Sequence, residues 1–354
     1  MTPYITGVGI MSGTSLDGID LAWCGFSEDE QGHWQYEVLK ADTFPYTTDM
    51  KVRLRRATEL SAIEYCRLDV ELGGLIADCV NAFVGGEEKP AFIASHGHTV
   101  FHQPHLGLTT QIGSGAVIAA RTGIPTVCDF RTMDVALHGQ GAPLVPIGDE
   151  LLFGDYDACL NLGGFSNISY REKGQRIAFD VSPCNMPLNL LASKVGLEYD
   201  KDGELASAGE IVPSLLHGLD ILEYYAQPAP KSLGKEWFEQ EFQPLLEHSL
   251  ERYDVADALR TVVEHISGQV SAAVPETVRS MLVTGGGALN KFLVHEIRNS
   301  CDCTIVVPDM FTVLFKEALV FAFLGLLRLQ HRENTLRSVT GADVNSCGGC
   351  IWRP

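Results

Sequence analysis

Apolar positions near the start of the chain predict a run of strands. Residues 4–10 are apolar and β-branched, residues 19–26 are apolar again, and residues 36–41 supply a third run. Glycine and aspartate stand where the first turn needs unusual backbone angles, so the first two runs read as a hairpin. The same order returns later. Residues 157–162, 168–171 and 176–179 read as strands, with Gly163-Gly164-Phe165-Ser166-Asn167 as the tight turn between the first two. A third glycine cluster, at residues 284–290, follows an apolar strand at 281–283 and precedes an amphipathic helix ending at 299.

Helical spacing accounts for much of the rest. Leu75, Ile76, Cys79, Val80, Phe83 and Val84 form one apolar face. Residues 116–123 predict a helix ended by Gly123, and 124–128 a buried strand that carries Asp129 and Arg131. Residues 213–226, 235–250 and 313–329 predict further helices. A boundary near 125–146 divides the chain into an N-terminal domain, 1–130, and a C-terminal domain, 131–354, with the last long helix crossing back between them.

The glycine clusters carry the candidate chemistry. Between the first two strands stand Gly13, Thr14, Ser15, Asp17, Gly18 and Asp20, a set that turns N–H groups and hydroxyls toward an anion. Asp17 is placed to hold a magnesium ion through water. A dinucleotide fingerprint fails here. Gly7 and Gly9 are followed by Gly13, one residue too far, and the next segment reads as a strand where that motif must open a helix. Gly163, Gly164 and Asn167 form the second loop, and Gly285, Gly286, Gly287 and Asn290 the third. The third has the strand, loop, helix order that brings bare backbone against a nucleotide.

Composition narrows the class. The 354 residues are 45% hydrophobic and 20% charged, enough for two domains with cores of their own. A formal charge of -19 argues against nucleic acid and anionic membrane surfaces as partners. The apolar run 318–327 is ten residues long and flanked by charge, which predicts a buried helix. No basic segment precedes an apolar one at the N-terminus, so a cytoplasmic setting is expected, with the ten cysteines reduced.

These motifs, taken in order, resemble a known family. Met11 to Asp20, Ser95-His96-Gly97 with Thr99 and His102, Gln111-Ile112-Gly113, Asp129-Phe130-Arg131, residues 139–146, Asn161-Leu162-Gly163-Gly164, Phe179-Asp180, Pro183 with Asn185-Met186, the triple glycine at 285–287, Glu317-Ala318 and residues 338–342 follow the pattern of the anhydro-N-acetylmuramic acid kinases nearly end to end. The resemblance implies two related actin-like (ribonuclease H-like) α/β domains, each a mixed sheet flanked by helices, around a nucleotide cleft. It implies ATP and Mg2+, an anhydro sugar as acceptor, and weakly a homodimer. Asp180 matches the family's catalytic aspartate, which activates water to open the internal bridge before the freed oxygen is phosphorylated. His96, Gly97, Thr99, Gln111, Asp129, Arg131, Asn185 and Glu317 fall in the sugar-binding regions. Residues 230–234 also resemble a family loop expected near the cleft.

Other readings stand beside this one. Asp180 also suits a helix cap ahead of residues 184–193. His96, His98, His102 and His105 in one expected loop, and the cysteines at 301, 303, 347 and 350, have spacings that metals use, but the resembled family needs no such metal. The chain departs from the family's commoner residues at His98, Gln103, Asn189 and Leu191, which leaves a related anhydro sugar or a free sugar hydroxyl as alternative acceptors. A non-catalytic, nucleotide-gated actin-like protein is the alternative of another class.

Overall fold

The computed structural model describes residues 4–13, 16–86 and 88–354. These form two compact units, residues 1–152 with 315–354, and residues 153–314.

The first unit is built on a six-stranded sheet. Its strands β1 (Ile5–Met11), β2 (Gly18–Glu28) and β3 (Trp34–Pro45) form an antiparallel meander. Strands β4 (Phe92–Ser95) and β7 (Thr126–Cys128) continue it parallel to β1. The C-terminal strand Cys350–Trp352 closes the edge antiparallel to β7. Between β4 and β7 a separate hairpin forms from β5 (His98–Gln103) and β6 (Leu108–Ile112). The expected loop over the histidine run is therefore partly strand. Thr99, Val100 and Phe101 favour a pleated surface, and the turn at Pro104–Leu106 closes on Gly107 in the left-handed region.

The long helix Met310–Leu329 explains the glycine at position 9. A Cβ there would overlap the carbonyl oxygen of Ala318, so the helix lies directly on β1. Phe323 packs on Phe26 and Trp34, and Phe321 on His96 and Phe130. By length and composition this helix could cross a membrane, yet 72% of its most apolar stretch is buried inside the protein. Its only buried cation, Lys316, meets the buried carboxylate of Asp149 at 2.6 Å. The helix changes unit at Phe315, whose φ of -116° and ψ of 15° interrupt its helical geometry.

The second unit repeats the sheet. Strands β8 (Ala158–Leu162), β9 (Phe165–Glu172) and β10 (Gln175–Pro183) form the meander, and β11 (Ser280–Thr284) and β12 (Thr304–Val306) follow parallel to β8. The order β10-β9-β8-β11-β12 matches β3-β2-β1-β4-β7 of the first unit. The fold is thus a duplicated α/β arrangement in which both units carry the same sheet topology.

Three expectations need correction. The boundary lies at residue 152, not 130, because the segment after β7 belongs to the first unit. The buried carboxylate of Asp134 in that segment accepts from Gly141 N–H at 2.7 Å and from the Thr340 hydroxyl at 2.7 Å, which ties it to the C-terminal tail. Residues 213–226 form two helices, Pro213–Asp220 and Glu223–Ala226, and not one. Residues 235–250 are interrupted by a wider turn at Phe238–Phe242, just ahead of Pro244, which has no N–H to give to the helix.

Candidate functional site

Each unit carries part of the predicted constellation. In the first, the β1–β2 register pairs Met11 with Asp20. Gly13 accepts from Leu16 N–H at 3.3 Å, and Leu16 takes a φ of 61°. Thr14 and Ser15 lie outside the described residues. Asp17 is exposed and Gly18 is buried, where a Cβ would press on the Phe44 carbonyl at 2.6 Å. Gly18 therefore serves β2–β3 packing. Burial raises the Asp20 carboxyl above its ordinary pKa, opposed by a 2.6 Å hydrogen bond from Thr43 and reinforced by the charge of Asp17.

The root of this turn is clamped. Ser12, 1% exposed, shares a 2.7 Å hydrogen bond with the Tyr46 hydroxyl and a 3.3 Å one with His98 Nδ1. Burial holds the Tyr46 phenol up at about 12 and holds His98 below its usual range, so both stay neutral.

His96, two residues before His98, faces another way. Arg131 donates to His96 Nε2 from Nε at 3.0 Å and from Nη2 at 2.8 Å, which requires that nitrogen to be unprotonated. Nδ1 then carries the proton and donates to the Gly97 carbonyl at 2.8 Å. Burial, then the Arg131 charge, holds His96 far below the ordinary histidine pKa. Gly97 has a φ of 72° and passes close to the Ile112 carbonyl, so only glycine fits. Arg131 also donates to Gly141 O at 2.6 Å. Glu317, on the long helix Met310–Leu329, is exposed.

A cavity of about 290 Å³ opens at the carboxyl ends of β4 and β7, the place where parallel strands of an open α/β sheet present ligands. His96, Gly97, Gln111 and Asp129 line it, with Asp69, Ser95, Cys128, Cys350 and Trp352. Among the described residues the Ser95 hydroxyl and the Gln111 carbonyl oxygen have no hydrogen-bond partner, although both atoms are buried. The Gln111 amide donates to Thr109 at 2.9 Å and to Thr99 at 3.4 Å. Asp129 sits at a φ of 59° and accepts from Thr132 at 2.5 Å. Asp69 and Trp352 escaped the sequence reading, and Ser95 entered it only within the motif Ser95-His96-Gly97. Only the position of Ser95, next to His96 at a strand end, offered a signal.

In the second unit the two glycine loops come together. A Cβ on Gly285 would press on Asn161 Oδ1 and the Leu162 carbonyl, and one on Gly287 on Leu162 and Asn185 Oδ1. Asn185, expected with the sugar, stands between the loops. Its N–H donates to Gly163 O at 3.0 Å and its amide to Leu162 O at 2.9 Å. Gly164 rests on Met186, whereas Gly286 is exposed and has ordinary space around it. Asn290 Oδ1 accepts from Leu293 N–H at 3.0 Å, so this side chain caps the helix Lys291–Ser300.

Asp180 lies on β10 opposite Asn167 of the hairpin strand, beside a bulge between residues 180 and 182. It does not cap the following helix, Asn185–Ser193, whose N-cap is Cys184. Its Oδ2 accepts from Leu233 N–H at 2.8 Å, its N–H donates to Lys231 O at 3.1 Å, and its carbonyl accepts from the Tyr224 hydroxyl at 2.6 Å. Residues 230–234 thus do meet the aspartate. Burial raises its pKa and the Leu233 hydrogen bond partly offsets that. Among the described residues no three His, Cys, Asp or Glu side chains gather as a metal site, and the cysteines 301 and 303 belong to a different unit from 347 and 350.

The model for the anhydro-N-acetylmuramic acid kinases matches residues 5–354. The chain belongs to that family. An anhydro-N-acetylmuramic acid kinase of Vibrio cholerae is 36% identical over 370 residues, covering 98% of each chain. One of Hydrogenovibrio crunogenus is 31% identical over 362 residues, again covering 98% of each. Among solved structures, a ROK family glucokinase from Streptomyces griseus in complex with glucose and AMPPNP aligns with a TM-score of 0.41 at 14% identity, over 90% of this chain and 97% of that one.

Proposed function

We propose that this kinase uses water and ATP to open the 1,6-anhydro bridge of anhydro-N-acetylmuramic acid and phosphorylate the 6-oxygen, a step in peptidoglycan recycling and amino sugar metabolism. The observation that carries the reading is the family match over residues 5–354. The bridge oxygen bears no proton, so a base has nothing to remove from the acceptor itself. Asp180 takes the proton of a water whose oxygen attacks the anomeric carbon. The bond from that carbon to the bridge oxygen breaks, and the freed oxygen attacks the γ-phosphorus as ADP leaves. The partly buried carboxylate with raised pKa supports this role, because such a group is a stronger base than a solvated one.

The backbone of the β1–β2 turn and the loops at 163–164 and 285–287 are assigned to the nucleotide. Asp17 and Asp20 supply hard oxygen donors whose mutual repulsion a divalent cation relieves, so they fit magnesium. Bound there, magnesium offsets charge on the transferred phosphoryl group. Arg131, held by His96 and Gly141, and the cavity residues Gln111 and Asp129 are assigned to the sugar.

Heavy-oxygen water tests the chemistry. Incubation with magnesium, ATP and the anhydro sugar should give a phosphorylated sugar carrying one labelled oxygen by mass spectrometry. An unlabelled phosphorylated product would replace ring opening with a plain kinase reaction. No product from any anhydro sugar would refute the reading.

A further inference from the structure

His98 has a role that none of these assignments uses. Ser12 is the last residue before Gly13 of the nucleotide turn, and its hydroxyl is held from one side by Tyr46 and from the other by His98. All three side chains are buried, Ser12 at 1%, Tyr46 at 5% and His98 at 5% exposure. They come from separate places in the unit: the end of β1, the segment after β3, and the first residue of β5. Ser12 has one proton to give and accepts one in return, so the chain runs from tyrosine through serine to histidine or the reverse, with each neutral partner satisfied. His98 is also paired with Ile112 in the β5–β6 hairpin, whose next rung is Thr99 with Gln111.

We infer that His98 is a positioning residue for the nucleotide turn. It fixes the chain at Ser12, where β1 leads into the turn, before ATP arrives, and it anchors that end of the turn to the hairpin carrying Thr99 and Gln111. A residue acting this way controls nucleotide use more than sugar use. The inference rests on the proposed assignment of the β1–β2 turn to ATP, and the test separates the two.

His98→Leu keeps the bulk and removes the hydrogen bond. It should raise the KM for magnesium-ATP by about threefold to tenfold, the scale of one buried hydrogen bond, while moving the sugar KM less than about twofold. His98→Gln, which still has a donor and an acceptor, should recover most of the loss. Tyr46→Phe removes the opposite partner without changing volume and should shift the same KM in the same direction, so a poorly folded His98→Leu would not end the test. Adding His98→Leu to Ser12→Ala should cost little more than Ser12→Ala alone, because the serine change already removes the hydrogen bond to His98. If the variants fold, the wild type turns over sugar, and all KM values stay within about twofold, the positioning role is wrong and the kinase reading stands. If the wild type phosphorylates no anhydro sugar, that reading fails and calorimetric ATP binding decides. Weaker binding by His98→Leu and Tyr46→Phe would still support the positioning role, and unchanged binding would overturn it.

Discussion

Asp180→Asn is the substitution that bears most directly on the mechanism. The amide is nearly isosteric, and its carbonyl oxygen can keep the 2.8 Å hydrogen bond from Leu233 N–H, so the loop at 230–234 should remain in place. What disappears is the base. A positioned general base contributes about 100-fold to 10,000-fold, which at about 1.36 kcal/mol per decade amounts to about 3–5 kcal/mol of the barrier. Turnover measured by sugar-dependent ADP release should therefore fall at least about a hundredfold, with ATP affinity by calorimetry nearly unchanged.

The raised pKa adds two independent readouts. Asp180 must be ionised to act, so the acid limb of the wild-type kcat/KM profile should lie above the ordinary aspartate range, and the residual activity of the variant should lack it. Stability moves the other way. With a folded pKa above the unfolded one, the native state binds the proton more tightly. Stability is then gained as pH falls through the folded pKa and lost as pH rises from the unfolded value to the folded one. At neutral pH the buried carboxylate costs stability, and the asparagine variant should melt at a higher temperature than wild type. Turnover within about tenfold of wild type, or an acid limb that survives the substitution, would remove Asp180 from the mechanism.

Other substitutions probe the remaining assignments. Gly286→Val should change the melting temperature little, because the position is exposed and a Cβ there meets Asn185 only at an ordinary 3.7 Å, yet weaken ATP binding in calorimetry; Gly285→Ala, at a φ of 84° and pressed on Leu162, should lower the melting temperature before it reports on nucleotide. Asp17→Ala should raise the magnesium concentration needed for half-maximal rate, and Thr14→Ala should raise the KM for ATP. Arg131→Lys loses the paired donors to His96 and should raise the sugar KM about tenfold or more, with little change in the KM for ATP.

The strands were legible because each carries its own signal. β1, β2, β8 and β11 are apolar runs bounded by glycine and polar turns, and a strand buried on both faces needs little else to declare itself. The division of the chain was not legible in the same way. Whether residues 131–152 join the first or second unit depends on Asp134 meeting Thr340, about two hundred positions away in sequence, and no local pattern encodes that. The C-terminal strand Cys350–Trp352 is equally silent. It is three residues long and exists because β7 has an open edge to pair with. Pro244 carries a signal that the reading of 235–250 as one helix left unused, since a residue without an N–H within a helical run favours an interruption.

At the candidate site, sequence order located the glycines but not the reason for each. Gly18, Gly97, Gly285, Gly286 and Gly287 look alike in the chain, yet Gly18, Gly285 and Gly287 are required by neighbouring protein atoms and Gly97 by its φ and the Ile112 carbonyl, whereas Gly286 stands exposed and a Cβ on it would meet Asn185 only at an ordinary 3.7 Å. A glycine that the fold itself demands says little about a ligand. One that the fold would let become larger makes a sharper argument for close approach by something else. The same reasoning divides the asparagines, since Asn290 is spent on a helix cap and Asn185 on joining two loops. For Asp180 it runs the opposite way. Its backbone and one carboxylate oxygen are held, no helix claims it as a cap, and its burial costs the fold stability at neutral pH. A carboxylate kept against that cost is better explained by chemistry than by packing.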